Sequence, residues 1–285
     1  MLALDWTDFD DDDQTTLTAY VITEHGRATP MAWHTVPKSE LKDRRNLYEM
    51  EMIVHLQKAF DPEVRITLLA DRGFGDQEFY EFLELYGWDF VIRFRQGILV
   101  EHQGQKKLAA YWLSPTGRPR KLPEARVTLK GTKVPAVIVT RAKRMKEIWC
   151  LATTLKDRRA GDIVKLYGKR FTIEETFRDQ KDMHFGMGLR ATHIRKAARR
   201  DRLLLLAALA QVLLTLLGAA AEEIGLDRQL KANTVERRTH SLFRQGLHWY
   251  GALGDMPKRQ LWRLIRAFGR ILARRAVLKE ILAVI

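Results

Sequence analysis

Cysteine is nearly absent: Cys150 stands alone in 285 residues, which excludes an internal disulfide framework and leaves too few thiolates for a structural zinc. A reducing cytoplasmic setting is the corresponding expectation. The first residues lack a basic flank ahead of an apolar run, so no secretory signal is read there. Basic residues are scarce early in the chain, where residues 1–100 carry 10 Lys and Arg against 19 Asp and Glu. Residues 101–285 reverse this, with 39 against 16, and the whole chain reaches +14 at pH 7. The asymmetry points to an acidic metal-holding part followed by a basic part that meets a polyanion. DNA leads that reading over a ribosomal or membrane-surface partner. With 46% hydrophobic residues, the chain can bury one sizeable core plus appendages. Long apolar runs are limited to residues 203–221, nearly continuous Leu, Ala and Val interrupted by Gln211 and Thr215. That length approaches a membrane span, but a helix buried against a sheet shows the same all-round apolarity, and no membrane partner is expected.

The stretch KLYGKRFTIEETFRDQKD, residues 165–182, carries the densest chemistry. A helix there gathers Tyr167, Arg170, Glu174, Arg178 and Lys181 onto one stripe about 80° wide, at roughly 100° per residue. One carboxylate among three cations and a phenol, beside an apolar seam of Leu166, Ile173 and Phe177, suits a metal ion and a phosphodiester. An ordinary solvated face with spaced ion pairs is the plainer alternative.

Two acidic residues upstream weigh against that alternative. Asp5 closes the apolar run LALD, and Asp71 closes RITLLAD, a buried-strand pattern that leads into a Gly-containing loop. Carboxylates at strand ends face a cleft. With Glu174 they form an all-oxygen set for two divalent cations about 4 Å apart, one activating an attacking oxygen and one stabilising the leaving oxygen at phosphorus. Magnesium prefers such ligands, with manganese as its substitute.

These residues resemble the DDE transposases of the insertion-sequence-four type. Tyr167, Arg170, Glu174 and Lys181 match a Tyr-x2-Arg-x3-Glu-x6-Lys pattern, and ALDWTDF, LADRGF and FGMGLRATHIRKAARRDRLLLLAALA extend the likeness over most of residues 1–220. The resemblance implies Asp5, Asp71 and Glu174 as the catalytic, metal-binding triad. It also implies Tyr167, Arg170 and Lys181 as contacts to the transposon end, and Arg178 on the same stripe joins them as a DNA-binding candidate. Only four residues precede Asp5, whereas the family usually has a helical end-reading region first; the expectation is therefore a chain lacking that region, held by a first strand of only four residues.

Strand patterns at residues 2–5, 16–23 and 28–34 form a meander. A helix follows at about 39–60, then the Asp71 strand, a helix at about 77–86 and a strand from Asp89. That order predicts an α/β protein: an RNase H-like core, a mixed sheet with flanking helices, placing Asp5 and Asp71 on neighbouring strands. Residues 95–159 change to short β-branched runs and read as a β-rich insertion. Within the insertion, Trp112 and Trp149 are either core residues or stacking platforms for an unpaired base. The predicted division is 1–94 and 160–225 for the two parts of the core, 95–159 for the insertion and 226–285 for C-terminal helices. The last helix, about 258–282, is basic and amphipathic; it packs with solvated arginines, contacts DNA or lies on an anionic surface. The acidic run at residues 8–13 reads as plain loop.

The expected function is DNA transposition: metal-dependent cleavage at transposon ends and strand transfer into target DNA, by a homo-oligomer associated with a prokaryotic nucleoid. The alternative is a catalytically silent DNA-binding remnant that interferes with intact transposase.

Overall fold

The structure is a computed structural model describing residues 1–143, 145–184 and 186–274. The chain forms two compact units, residues 1–22 with 30–201 and residues 23–29 with 202–285.

The first unit is built on one ten-stranded sheet. Strand β1 (Leu2–Phe9) pairs antiparallel with β2 (Gln14–Val21), and β3 (Thr29–Pro37) lies beyond β2. On its other side β1 runs parallel to β4 (Thr67–Ala70), with Leu4 opposite Ala70. Parallel neighbours need a crossover, and helix α1 (Arg45–Ala59) lies in the chain between β3 and β4. Helix α2 (Gln77–Leu85) makes the next crossover, to β5 (Asp89–Phe94), which is parallel to β4. This is the RNase H-like arrangement predicted above. The core beneath it includes Leu4, Leu17, Ile53, Leu68, Phe74, Phe79, Leu83, Phe90 and Ile92.

Residues 95–159 supply β6 (Leu99–His102), β7 (Gln105–Leu108), β8 (Arg120–Val127), β9 (Thr132–Thr140) and β10 (Trp149–Thr153). They continue the same sheet in the order β5-β10-β9-β8-β6-β7. At the outer edge β7 reads QKKL and is exposed throughout, a lysine-bearing edge that discourages pairing with another strand. Trp112 is a core residue, its indole N–H donating to the Val100 carbonyl at 3.2 Å.

Two expectations need correction. The first strand has eight residues, so Asp5 sits in mid-strand rather than closing a run of four; hydrogen bonding to β2 along its whole length continues it past the polar Asp5, Thr7 and Asp8. Residues 165–182 are not one helix: α3 (Ala160–Gly168) passes through a tight 3-10 turn at Lys169–Phe171 before α4 (Thr172–Lys181).

The second unit holds most of α5 (Ala197–Glu223), with α6 (Leu242–Gly251) and α7 (Lys258–Ala273). Ala220, Ala221, Leu226, Trp249, Leu264 and Ala267 form its core. Helix α5 is long and apolar enough to cross a membrane, with a third of its most apolar stretch buried. Leu205, Leu206, Leu209 and Leu213 remain exposed, so the expectation of a fully covered helix is not met on that face. The predicted extension of α7 toward residue 282 lies outside the described residues. Arg270 on α7 pairs with Glu223 at 2.8 Å, and Arg274, just past its end, lies 3.8 Å from the same carboxylate.

Helices α5 and α6 touch backbone to backbone. A Cβ on Gly218 would lie 1.8 Å from the Leu242 carbonyl oxygen, and one on Gly246 would lie 1.8 Å from that of Leu214. Gly218→Val therefore forces the helices apart and costs at least about 3 kcal/mol of stability in urea denaturation. Gly269→Ala, exposed on α7 with nothing within 4 Å, gains about 0.5–1 kcal/mol in the same measurement.

Candidate active site

Three carboxylates from separate parts of the chain gather around one guanidinium. Asp5 lies on β1 with its side chain 15% exposed; its Oδ1 accepts from the Trp6 N–H at 3.0 Å and its Oδ2 from Arg170 Nη1 at 2.9 Å. The second terminus of Arg170, Nη2, donates to Glu174 Oε1 at 3.2 Å, across one turn at the start of α4. Arg170 itself is buried, and its Nε has no hydrogen-bond partner. Asp71 follows directly after β4, so the parallel register that sets Leu4 beside Ala70 brings it alongside Asp5.

Asp71 is held by a local device. Its Oδ1 accepts from the Gly73 N–H at 2.7 Å, capping the short turn at Arg72–Phe74. A Cβ on Gly73 would meet that oxygen at 3.0 Å and Arg45 Nη2 at 3.1 Å.

Electrostatics bind the group together. Burial pushes the Asp5 carboxyl up to about 6; Arg170 opposes the shift and Asp71 adds to it. Burial opposes the charge on Arg170, and Tyr167, Asp5, Asp71 and Glu174 act against that burial and raise its pKa. The three carboxylates offer hard, oxygen-only donors of the kind that a divalent cation takes. Among the described residues, no three His, Cys, Asp or Glu side chains stand ready as a coordination shell; Arg170 occupies the space between Asp5 and Glu174.

The remaining predicted residues divide. Tyr167 is buried, edge-on to Trp149 at 5.0 Å, and burial raises its hydroxyl pKa. Trp149 stacks on Phe171 at 5.6 Å. Arg178 pairs with Glu175 on the exposed side of α4. Lys181 Nζ donates to the Asp8 carbonyl at 2.5 Å and lies 4.6 Å from the Phe9 ring centre; burial lowers its pKa to about 8. The structure therefore brings Asp5, Asp71, Arg170 and Glu174 together, while Arg178 and Lys181 point elsewhere. The acidic run is more than loop: Asp12 pairs with the buried Arg200, Asp10 with Lys38, and Asp11 with Arg190 at 3.8 Å.

One participant escaped the sequence reading. Glu49 on α1 is fully buried, with Oε1 accepting from Trp6 Nε1 at 2.7 Å and from Arg45 Nε at 3.1 Å. Its Oε2 has no partner. The signal was present: Tyr48, Glu49, Met52, Ile53 and Leu56 form the buried face of α1, and a lone carboxylate inside an apolar stripe requires an explanation.

The fold and this convergence define an RNase H-like α/β protein with a carboxylate site on neighbouring parallel strands. The model of the transposase DDE domain matches residues 39–213, more than half of the chain, and the chain belongs to that family. The matched span contains Asp71 and Glu174, and Asp5 lies outside it. No curated protein matches the chain. A transposase of this family acts on DNA and uses divalent metal ions in polynucleotidyl transfer.

Burial pushes the Glu49 carboxyl from its ordinary 4.5 up to about 7, with Asp71 adding to the shift and Trp6 and Arg45 opposing it. A folded-state pKa above the unfolded one means that the native chain binds the extra proton, so stability falls as pH rises through this window. Glu49→Gln carries no such charge. Its stability relative to the unaltered chain increases from acid to about pH 8 by about 3 kcal/mol, measured by urea denaturation without metal. A pH-independent difference would mean that Glu49 ionises as a solvated carboxylate does.

Proposed function

We propose that the chain is a transposase of the insertion-sequence-four type that cleaves DNA at transposon ends and transfers the freed strand to target DNA. The carrying observation is the convergence of Asp5, Asp71 and Glu174 about Arg170 on an RNase H-like sheet. Asp5, Asp71 and Glu174 hold the cations. Bound magnesium, with manganese as its substitute, supplies Lewis acidity toward the attacking and leaving oxygens. Asp5 and Asp71 extend from a rigid sheet, which fixes two of the three ligands before substrate arrives. Water is the nucleophile for the first strand, and the released 3′ hydroxyl attacks the second phosphodiester; no protein nucleophile is needed.

Cations and aromatic rings of the site meet the strand. Arg170, beside the carboxylates, offers a fixed positive charge to the phosphate under attack. Arg178 and Lys181 on α4 contact DNA, and Tyr167, buried on α3 against Trp149, supports that side from within. The basic surplus after residue 100 supplies salt-dependent attraction to target DNA. The active complex is a homo-oligomer bringing two ends together in a prokaryotic nucleoid, without a membrane.

A second reading has its own observation. Arg170 already satisfies Asp5 and Glu174, which favours a catalytically silent DNA-binding form that interferes with active copies. Supercoiled plasmid incubated with Mg²⁺ or Mn²⁺ separates the two. The unaltered chain nicks or linearises the plasmid, chelation of the metal stops it, and Glu174→Ala lowers the rate at least about hundredfold, equivalent to about 2.7 kcal/mol. Equal conversion by both chains rules out Glu174 as a catalytic ligand. Salt-sensitive binding without cutting supports the silent form.

A further inference from the structure

Glu49 presents a physical puzzle. A carboxylate excluded from solvent, with one oxygen accepting two hydrogen bonds and the other accepting none, is costly. An apolar side chain of similar size is commonly neutral or stabilising at such a position. Packing therefore does not explain it, and an orphan buried oxygen points to a functional constraint.

Its two partners lead to the two aspartates. The first, Trp6, is the neighbour of Asp5 on β1, and the backbone N–H of Trp6 donates to Asp5 Oδ1. Fixing the indole fixes that peptide, and hence the oxygen that it holds. The second, Arg45, lies over the Trp6 ring at 5.4 Å and the Phe74 ring at 5.8 Å. Its Nη2 closes on Gly73, the residue whose N–H holds Asp71 Oδ1. From a single point on α1, one carboxylate thus braces the β1 peptide beside Asp5 and the turn that presents Asp71.

We infer that Glu49 is a positioning residue that sets the separation of Asp5 and Asp71 for a divalent cation, acting through Trp6 on one side and Arg45 on the other. The inference rests on the metal-dependent reading of the triad given above. Glu49 does not itself ligate the cation; both contacts of its engaged oxygen are to the braces. The arrangement is the carboxylate counterpart of the outer contacts that orient metal ligands, whose loss typically weakens metal binding by about 10- to 100-fold.

The test is binding of Mn²⁺ by the full chain without DNA, followed by the electron paramagnetic resonance of free Mn²⁺. Binding that disappears in Glu174→Ala defines the site and separates it from other acidic surfaces. Glu49→Ala weakens that binding about tenfold or more. Glu49→Gln, which keeps an acceptor for the indole N–H, stays within about twofold. Trp6→Phe keeps the ring and removes the donor; it reproduces the loss in a chain whose melting temperature and far-ultraviolet dichroism show it folded, so the inference is tested even where Glu49→Ala does not fold. Folded Glu49→Ala or Trp6→Phe binding Mn²⁺ like the unaltered chain overturns the inference alone. Glu49→Gln as weak as Glu49→Ala also overturns it, because the charge would then be a ligand. Absence of any Glu174-dependent binding removes the metal-site reading and the inference with it.

Discussion

The Arg170 guanidinium, shared between Asp5 and Glu174, is the interaction on which the site depends. It joins residues 165 positions apart in sequence and lies at the turn between α3 and α4. Without it Asp5 would be a nearly buried carboxylate facing Asp71, an arrangement that low-polarity surroundings penalise. With it, the start of α4 is fastened against β1 and Glu174 is delivered to the sheet. Arg170 lies in the 3-10 turn between α3 and α4 and is buried against Asp5.

Around that junction the chain uses charge twice over. The carboxylates at residues 8–13 engage Lys38, Arg190 and the buried Arg200, so the turn between β1 and β2 gathers basic side chains from β3's C-terminal flank and from the segment after α4. Arg200 also lies 3.8 Å from the Phe9 ring centre and donates to Gln14 at 2.6 Å. The acidic start of the chain thus serves two ends: some carboxylates anchor the fold, and Asp5 faces the site. Formal charge counts merge the two roles.

The fold was legible where periodicity is simple. The β1–β2–β3 meander, the α2 crossover and the apolar β5 run follow directly from alternation and turn residues, and with them the pairing of Asp5's strand with that of Asp71. The length of β1 was not legible, because ThrAspPhe after Trp6 reads as polar until its ladder to β2 is known. The turn at Lys169–Phe171 was hidden because Lys, Arg and Phe are ordinary helix residues. Glu49 was visible as an anomaly on an apolar face, but its meaning required Trp6 and Arg45 in three dimensions. The exposed leucines of α5 were unreadable from composition, since a covered and an uncovered apolar helix share one pattern.

A double-mutant cycle on Asp5→Asn and Arg170→Gln, measured by urea denaturation without metal, tests the central claim most directly. A buried pair that organises the site predicts a coupling energy of about 2 kcal/mol, with each single substitution costing more than the second one does in the background of the first. Additivity within about 0.5 kcal/mol would mean that Asp5 and Arg170 do not interact in solution, and would contradict the account of how Glu174 reaches the sheet.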